Sequence, residues 1–150
     1  MRKFLKFAFV VMFFVSCAEV DNPTKSEFLD VTHNNISGVW SLASYDNGTP
    51  LADGTYYYIV FNRAERTFVS YDNLGSMEIY KSSGRYDIFV DNAAIIRGVY
   101  DFGRGDWEHR YYVRNLTANK MTWVAVDDEN NVKEYVRAEL PEWIEQEQEK

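Results

Sequence analysis

From Ile36 onward the chain never sustains a helical run. It breaks into short apolar or alternating stretches, each closed by Gly, Asn, Asp, Ser or Pro. The stretches are Val39–Tyr45, Thr55–Asn62, Arg66–Tyr71, Met77–Lys81, Arg85–Val90, Ala94–Tyr100, Trp107–Leu116, Met121–Val126 and Val132–Leu140. Asn47-Gly48, Asp53-Gly54, Asn73-Leu74-Gly75, Ser82-Ser83-Gly84 and Asp91-Asn92 are among the turns between them. This is roughly nine strands in about 105 residues at hairpin spacing. Parallel neighbours need crossovers of a dozen residues or more, so connections this short imply an antiparallel up-and-down meander. Closing the meander on itself removes its exposed edges. The expected fold is all-β: a small up-and-down antiparallel β-barrel of eight to nine strands. A short acidic tail, 142–150, follows Pro141 and holds one or two helical turns.

The N-terminus has a different character. Arg2, Lys3 and Lys6 precede nine uncharged apolar residues, Phe7 to Val15. A basic start, a short apolar core and a small residue are the parts of a secretory signal peptide. Nine residues are too few to span a bilayer, which takes about 20 in a helix. Cys17, the single cysteine, stands directly after Ser16. The string Phe14-Val15-Ser16-Cys17 resembles the lipobox of bacterial lipoproteins, which implies cleavage before Cys17 and acylation of its thiol. Several acyl chains hold a protein at a membrane where one is marginal. The expected organisation is a signal peptide over 1–16, a tether over 17–35 and a barrel domain over 36–150. Glu19 and Asp21, close behind the cysteine, resemble surface-export signals of Bacteroidota lipoproteins.

Removing residues 1–16 takes three of the 16 basic residues and none of the 23 acidic ones, leaving 13 against 23, a net charge of −10. That charge argues against nucleic acid as a partner.

Gly38-Val39-Trp40 opens the first strand, and it resembles the Gly-x-Trp opening of lipocalins, whose tryptophan plugs one end of the barrel. The resemblance continues through Tyr58-Ile59-Val60-Phe61-Asn62, Thr67-Phe68, Gly84-Arg85-Tyr86, Arg97-Gly98-Val99-Tyr100-Asp101 and Glu134 to Glu142. Taken with the lipobox, the set resembles the small lipocalin-like lipoproteins of Bacteroidota. The resemblance implies a lipocalin-like barrel in the bacterial cell envelope, anchored to the outer membrane, whose interior holds a small ligand. It supplies neither catalytic residues nor a cofactor.

The residues themselves offer no catalytic constellation. There is no Gly-x-Ser-x-Gly elbow and no Cys-x-x-Cys. Asp127-Asp128-Glu129-Asn130-Asn131 lacks the central glycine and closing glutamate of a calcium loop. His33 lies in the tether and reads as solvated. His109 alternates with Trp107 and Tyr111 and is expected to face inward. Glu134 shares its alternation with Val132, Val136 and Ala138, and Arg97 lies between Ile95 and Val99. Both are expected inside, where Glu134 with Arg97 or His109 forms the polar part of a cavity. Tyr56, Tyr58, Tyr86 and Tyr111 are expected to line it, since aromatic faces hold an apolar ligand and hydroxyls orient it. The ligand-binding candidates are therefore Tyr56, Tyr58, Tyr86, Arg97, Trp107, His109, Tyr111 and Glu134, and Cys17 is the lipidation site. No catalytic or metal-ligating residue is expected. Small barrels also fill their interior with side chains. In that case the protein acts through the loops Asn47–Gly54 and Phe102–Asp106 on an envelope protein, as an assembly factor or enzyme inhibitor.

Overall fold

A computed structural model describes residues 27–146. The signal peptide, Cys17, Glu19 and Asp21 lie outside the described residues, as do the last four positions.

The strands are β1 (Gly38–Tyr45), β2 (Thr49–Pro50), β3 (Tyr57–Asn62), β4 (Thr67–Asp72), β5 (Tyr80–Val90), β6 (Ala94–Tyr100), β7 (Tyr111–Arg114), β8 (Lys120–Ala125) and β9 (Val132–Arg137). Neighbours pair in chain order from β3 to β9, and β1 lies antiparallel to both β3 and β9. The result is a closed eight-stranded antiparallel barrel, with β2 as a short extra ribbon on β1. That ribbon follows a tight turn in which Asp46 and Asn47 take φ of 43° and 60°. A hairpin turn of this hand matches the twist of the strands it joins.

The loops divide into two ends. Those after β3, β5 and β7 lie at one end, with the helical turn α1 (His33–Ile36) that enters β1. The connections β1–β3, β4–β5, β6–β7 and β8–β9 lie at the other. At the first end Ile36 and Trp40 are fully buried, and the Trp40 indole donates to the Ile36 carbonyl at 2.6 Å. The Arg137 guanidinium lies 3.7 Å from the Trp40 ring centre. It donates to the carbonyls of Ser37 (2.6 Å), Asn35 (3.0 Å) and Ala118 (3.2 Å). One cation thus covers the plug and satisfies backbone acceptors from two segments, a charge-assisted arrangement. This end is closed.

Residues before the expected domain boundary belong to the same cap. Leu29 N–H donates to the Leu116 carbonyl at 2.7 Å, and Val31 packs on the core. His33 is not solvated: its ring stands 5.3 Å from that of Tyr86.

Two strand expectations are corrected. Ser82-Ser83-Gly84 is no turn but the middle of the eleven-residue β5. Its small residues answer to crowding: a Cβ on Gly84 would lie 2.1 Å from the Val99 carbonyl oxygen and 2.8 Å from the Phe68 ring. The strand expected from Trp107 begins only at Tyr111. The chain first folds back along β6, with Tyr100 N–H on Gly105 O and Trp107 N–H on Gly98 O. Trp107 then lies flat on Gly98, where any Cβ would strike its ring.

The middle of the barrel is packed with aromatic rings around Trp123. Tyr135 (4.7 Å between ring centres), Tyr111 (5.2 Å), Trp107 (5.5 Å) and Phe61 (6.2 Å) surround it. The C-terminal helix α2 (Glu142–Gln146) buries Ile144 and sets Trp143 edge-on against Tyr56 at 4.9 Å.

Candidate functional site

The strand periodicity decides which side chains enter the barrel. On β3 the inward set is Tyr57, Ile59 and Phe61, all part of the core or packed on it. On β9 it is Lys133, Tyr135 and Arg137. On β8 it is Met121, Trp123 and Ala125, and on β7 Tyr111 and Val113. Trp123 and Lys133 are direct cross-strand partners, as are Met121 and Tyr135.

At the end opposite the Trp40 plug the packing opens into a pocket of about 380 Å³. Leu42, Leu51, Ala52 and Leu74 form apolar walls, and Tyr57, Tyr135, Lys133, Asn131 and Asp46 supply polar groups. The Lys133 ammonium donates to the Tyr111 hydroxyl at 2.9 Å and lies 4.9 Å from that ring's centre. Among the described residues no carboxylate comes within 4.0 Å of it. Burial lowers its pKa, against the more distant pull of Glu108 and Asp46. Tyr57, Tyr111 and Tyr135 are all raised, first by burial and then by the acidic and phenolic groups around them. Tyr100 is raised for the same first reason. These phenols stay neutral donors far above neutral pH. The Asn131 side-chain oxygen is buried and has no hydrogen-bond partner.

The sequence-selected residues divide around this pocket. Tyr111 reaches it through Lys133. Trp107 sits lower, in the aromatic packing between Phe68 and Trp123. Tyr86 is inside but at the closed end, against Phe61 and His33, with its hydroxyl buried and unpartnered. His109 is partly buried beside Tyr111, and its Nδ1 pairs with Asp127 at 2.8 Å. That hydrogen bond holds the Asp127 carboxyl below its usual range. His109 ties the β6–β7 connection to the turn after β8 and does not line the pocket.

Four expected orientations are corrected. Tyr56 and Tyr58 lie on the outer parity of the β3 segment, stacked on each other, with Tyr56 also against Trp143. Arg97 is exposed, over the Phe89 ring at 4.4 Å. Glu134 is exposed and accepts a hydrogen bond from Ser44 at 3.1 Å. In each strand both parities carry apolar residues, and the inside went to the parity holding the ring or cation that packs best. On β9 the bulk of Tyr135 and the Arg137–Trp40 stack outweigh the valines. Tyr57, Lys133, Tyr135 and Asn131 were missed for that reason. The readable signal was Arg137: once Trp40 plugs the barrel and β9 closes on β1, an inward Arg137 carries Lys133 and Tyr135 inward with it.

Among the described residues, no group of three or more His, Cys, Asp or Glu side chains converges as metal ligands.

Comparison with known proteins agrees with this architecture. The model of the lipocalin-like domain family matches residues 36–123. A protein of Bacteroides uniformis solved by NMR is similar at TM-score 0.54 and 20% identity, over 73% of this chain and 94% of that one. A crystal structure of a lipocalin-like protein from the same organism is similar at TM-score 0.50 and 16% identity, over 69% of this chain and 99% of that one. At such identities the likeness concerns the fold. No curated protein matches the chain. The family match spans more than half the sequence and ends inside β8, with the Gly38-Val39-Trp40 opening near its start: the chain belongs to the lipocalin-like domain family.

Proposed function

We propose that the protein is a lipid-anchored binding protein of the bacterial cell envelope, tethered to the outer membrane through Cys17, and that it takes one small, largely apolar ligand into the open end of its barrel. The observation that carries the binding reading is the asymmetry of the interior. One end is plugged, while the other holds a leucine-walled pocket whose volume of about 380 Å³ suits a small ligand. The anchor rests on the lipobox resemblance and the basic, apolar leader. Binding rather than catalysis is the activity proposed, resting on the pocket and on membership of the lipocalin-like domain family. Native mass spectrometry of the protein purified from envelope extract tests it, with a retained small molecule as the expected result. Fatty-acid labelling of the wild type and its loss in Cys17→Ser test the anchor separately.

A second reading is favoured by the loops at the open end. Phe102 and Met77 are 95% and 97% exposed. Apolar side chains held out in this way suit contact with a partner protein. Recovery of a stoichiometric envelope partner that is lost in Phe102→Ser supports that reading. Unchanged recovery removes it.

A further inference from the structure

The pocket contains a cation with no ion-pair partner among the described residues, Asp46 and Glu108 acting on it only from a distance. Lys133 enters the barrel from β9, directly across from Trp123 on β8, with its ammonium on the Tyr111 hydroxyl and Tyr135 lining the same pocket. Its ammonium makes one hydrogen bond, to the Tyr111 oxygen, and no described carboxylate lies within ion-pairing distance. An ammonium has three donors. Taking a charge out of water without a counter-charge is costly, and proteins avoid it unless the charge is used. The Tyr111 oxygen already accepts from Lys133, so its own proton points elsewhere. Lys133 therefore presents surplus donors beneath walls of Leu42, Leu51 and Leu74, with the Tyr111 hydroxyl behind it fixing the ammonium. Asn131 adds the complement, a buried side-chain oxygen with nothing to accept from.

We propose that the pocket selects an acidic amphiphile, a small molecule with an apolar body and a carboxylate, whose carboxylate is held by the Lys133 ammonium, itself positioned by the Tyr111 hydroxyl. This deepens the binding reading above and rests on it. The leucine walls take the body. Asn131 favours a ligand that also carries a hydroxyl or amide N–H near its acid group. Charge-assisted hydrogen bonds in a shielded site are stronger than neutral ones, so the acid outranks a neutral analogue of equal length.

Isothermal titration of the full chain carrying Cys17→Ser with decanoic acid, decanol and decylamine tests the assignment. The expected order at neutral pH is acid over alcohol by about tenfold or more, with the amine weakest. Lys133→Met is expected to abolish the preference of acid over alcohol, and its thermal unfolding midpoint, compared with the wild type, shows that the variant is folded. Lys133→Arg should retain part of the preference. Equal binding of acid and alcohol by the wild type overturns the acid reading and leaves the binding function standing. An acid preference that survives Lys133→Met overturns the role of Lys133. An amine that outranks the acid assigns selectivity to Asp46 at the rim and overturns the proposal. Failure of all three probes to bind counts against the binding function itself.

Discussion

The two ends of this barrel are built on opposite principles. At the closed end the two groups that make the plug, Trp40 and Arg137, are paired, although the Tyr86 hydroxyl and His33 Nε2 nearby are buried without a hydrogen-bond partner. The Trp40 indole has the Ile36 carbonyl, and Arg137 has three carbonyls and an aromatic face. At the open end a cation has one neutral partner, an amide oxygen has none, and leucines face a cavity. The first arrangement converts burial into stability. The second gives some of that stability up and leaves a place where another molecule fits. The same eight barrel strands carry both, so the difference comes from side chains at the strand ends.

Substitutions sharpen the contrast. Trp40→Ala should cost the most, about 3–5 kcal/mol, because it empties the plug and strands Arg137 above a cavity. Urea unfolding measures it, and a loss below 1 kcal/mol would mean that the two ends are equivalent. Arg137→Ala should follow at about 1–3 kcal/mol, from carbonyls left without a donor. Lys133→Met should run the other way, from neutral to about 1 kcal/mol more stable, since it removes a shielded charge that lacks a counter-charge. A pH series adds a sign to that comparison. The Lys133 pKa is lowered in the folded state. Between that value and the usual lysine range near 10.5, the unfolded chain therefore binds more protons, and wild-type stability gains from rising pH. The advantage of Lys133→Met should shrink over this window, and a constant difference would refute the link. Asp127 gives a slope of the same sign in the acid range: its lowered pKa contributes stability above the usual aspartate range that is lost as pH falls through the folded value, and His109→Ala should flatten that acid limb. Met77→Ser and Phe102→Ser at the exposed rim should stay within about 0.5 kcal/mol.

The barrel was legible because turn residues recur at hairpin spacing and no run is long enough for a core helix. Gly38-Val39-Trp40 even marked which end is plugged. The site was far less legible, and the reason is the period of two. In Tyr56-Tyr57-Tyr58-Ile59-Val60-Phe61 both faces are apolar, so alternation cannot choose between them. The outer tyrosines are sheltered by α2 and Trp143, a contact between distant parts of the chain. In Val132 to Arg137 the valines suggested one face, and the tertiary stack of Arg137 on Trp40 selected the other. A one-residue change of parity exchanged Glu134 for Lys133 and so reversed the charge assigned to the interior. Ser82-Ser83-Gly84 misled for a related reason: small residues mark turns, but they also mark places where two chains approach closely.

The position of Trp123 has a practical consequence. It is the one indole whose direct cross-strand neighbour is a lysine, and its ring packs against Tyr135 and against Tyr111, whose hydroxyl accepts from that lysine's amine. The emission colour of an indole follows the electric field across it. An anion paired with that amine changes the field, so Trp123 emission is expected to shift when an acid binds, with Trp123→Phe as the control. Intrinsic fluorescence then follows the pocket without any added dye.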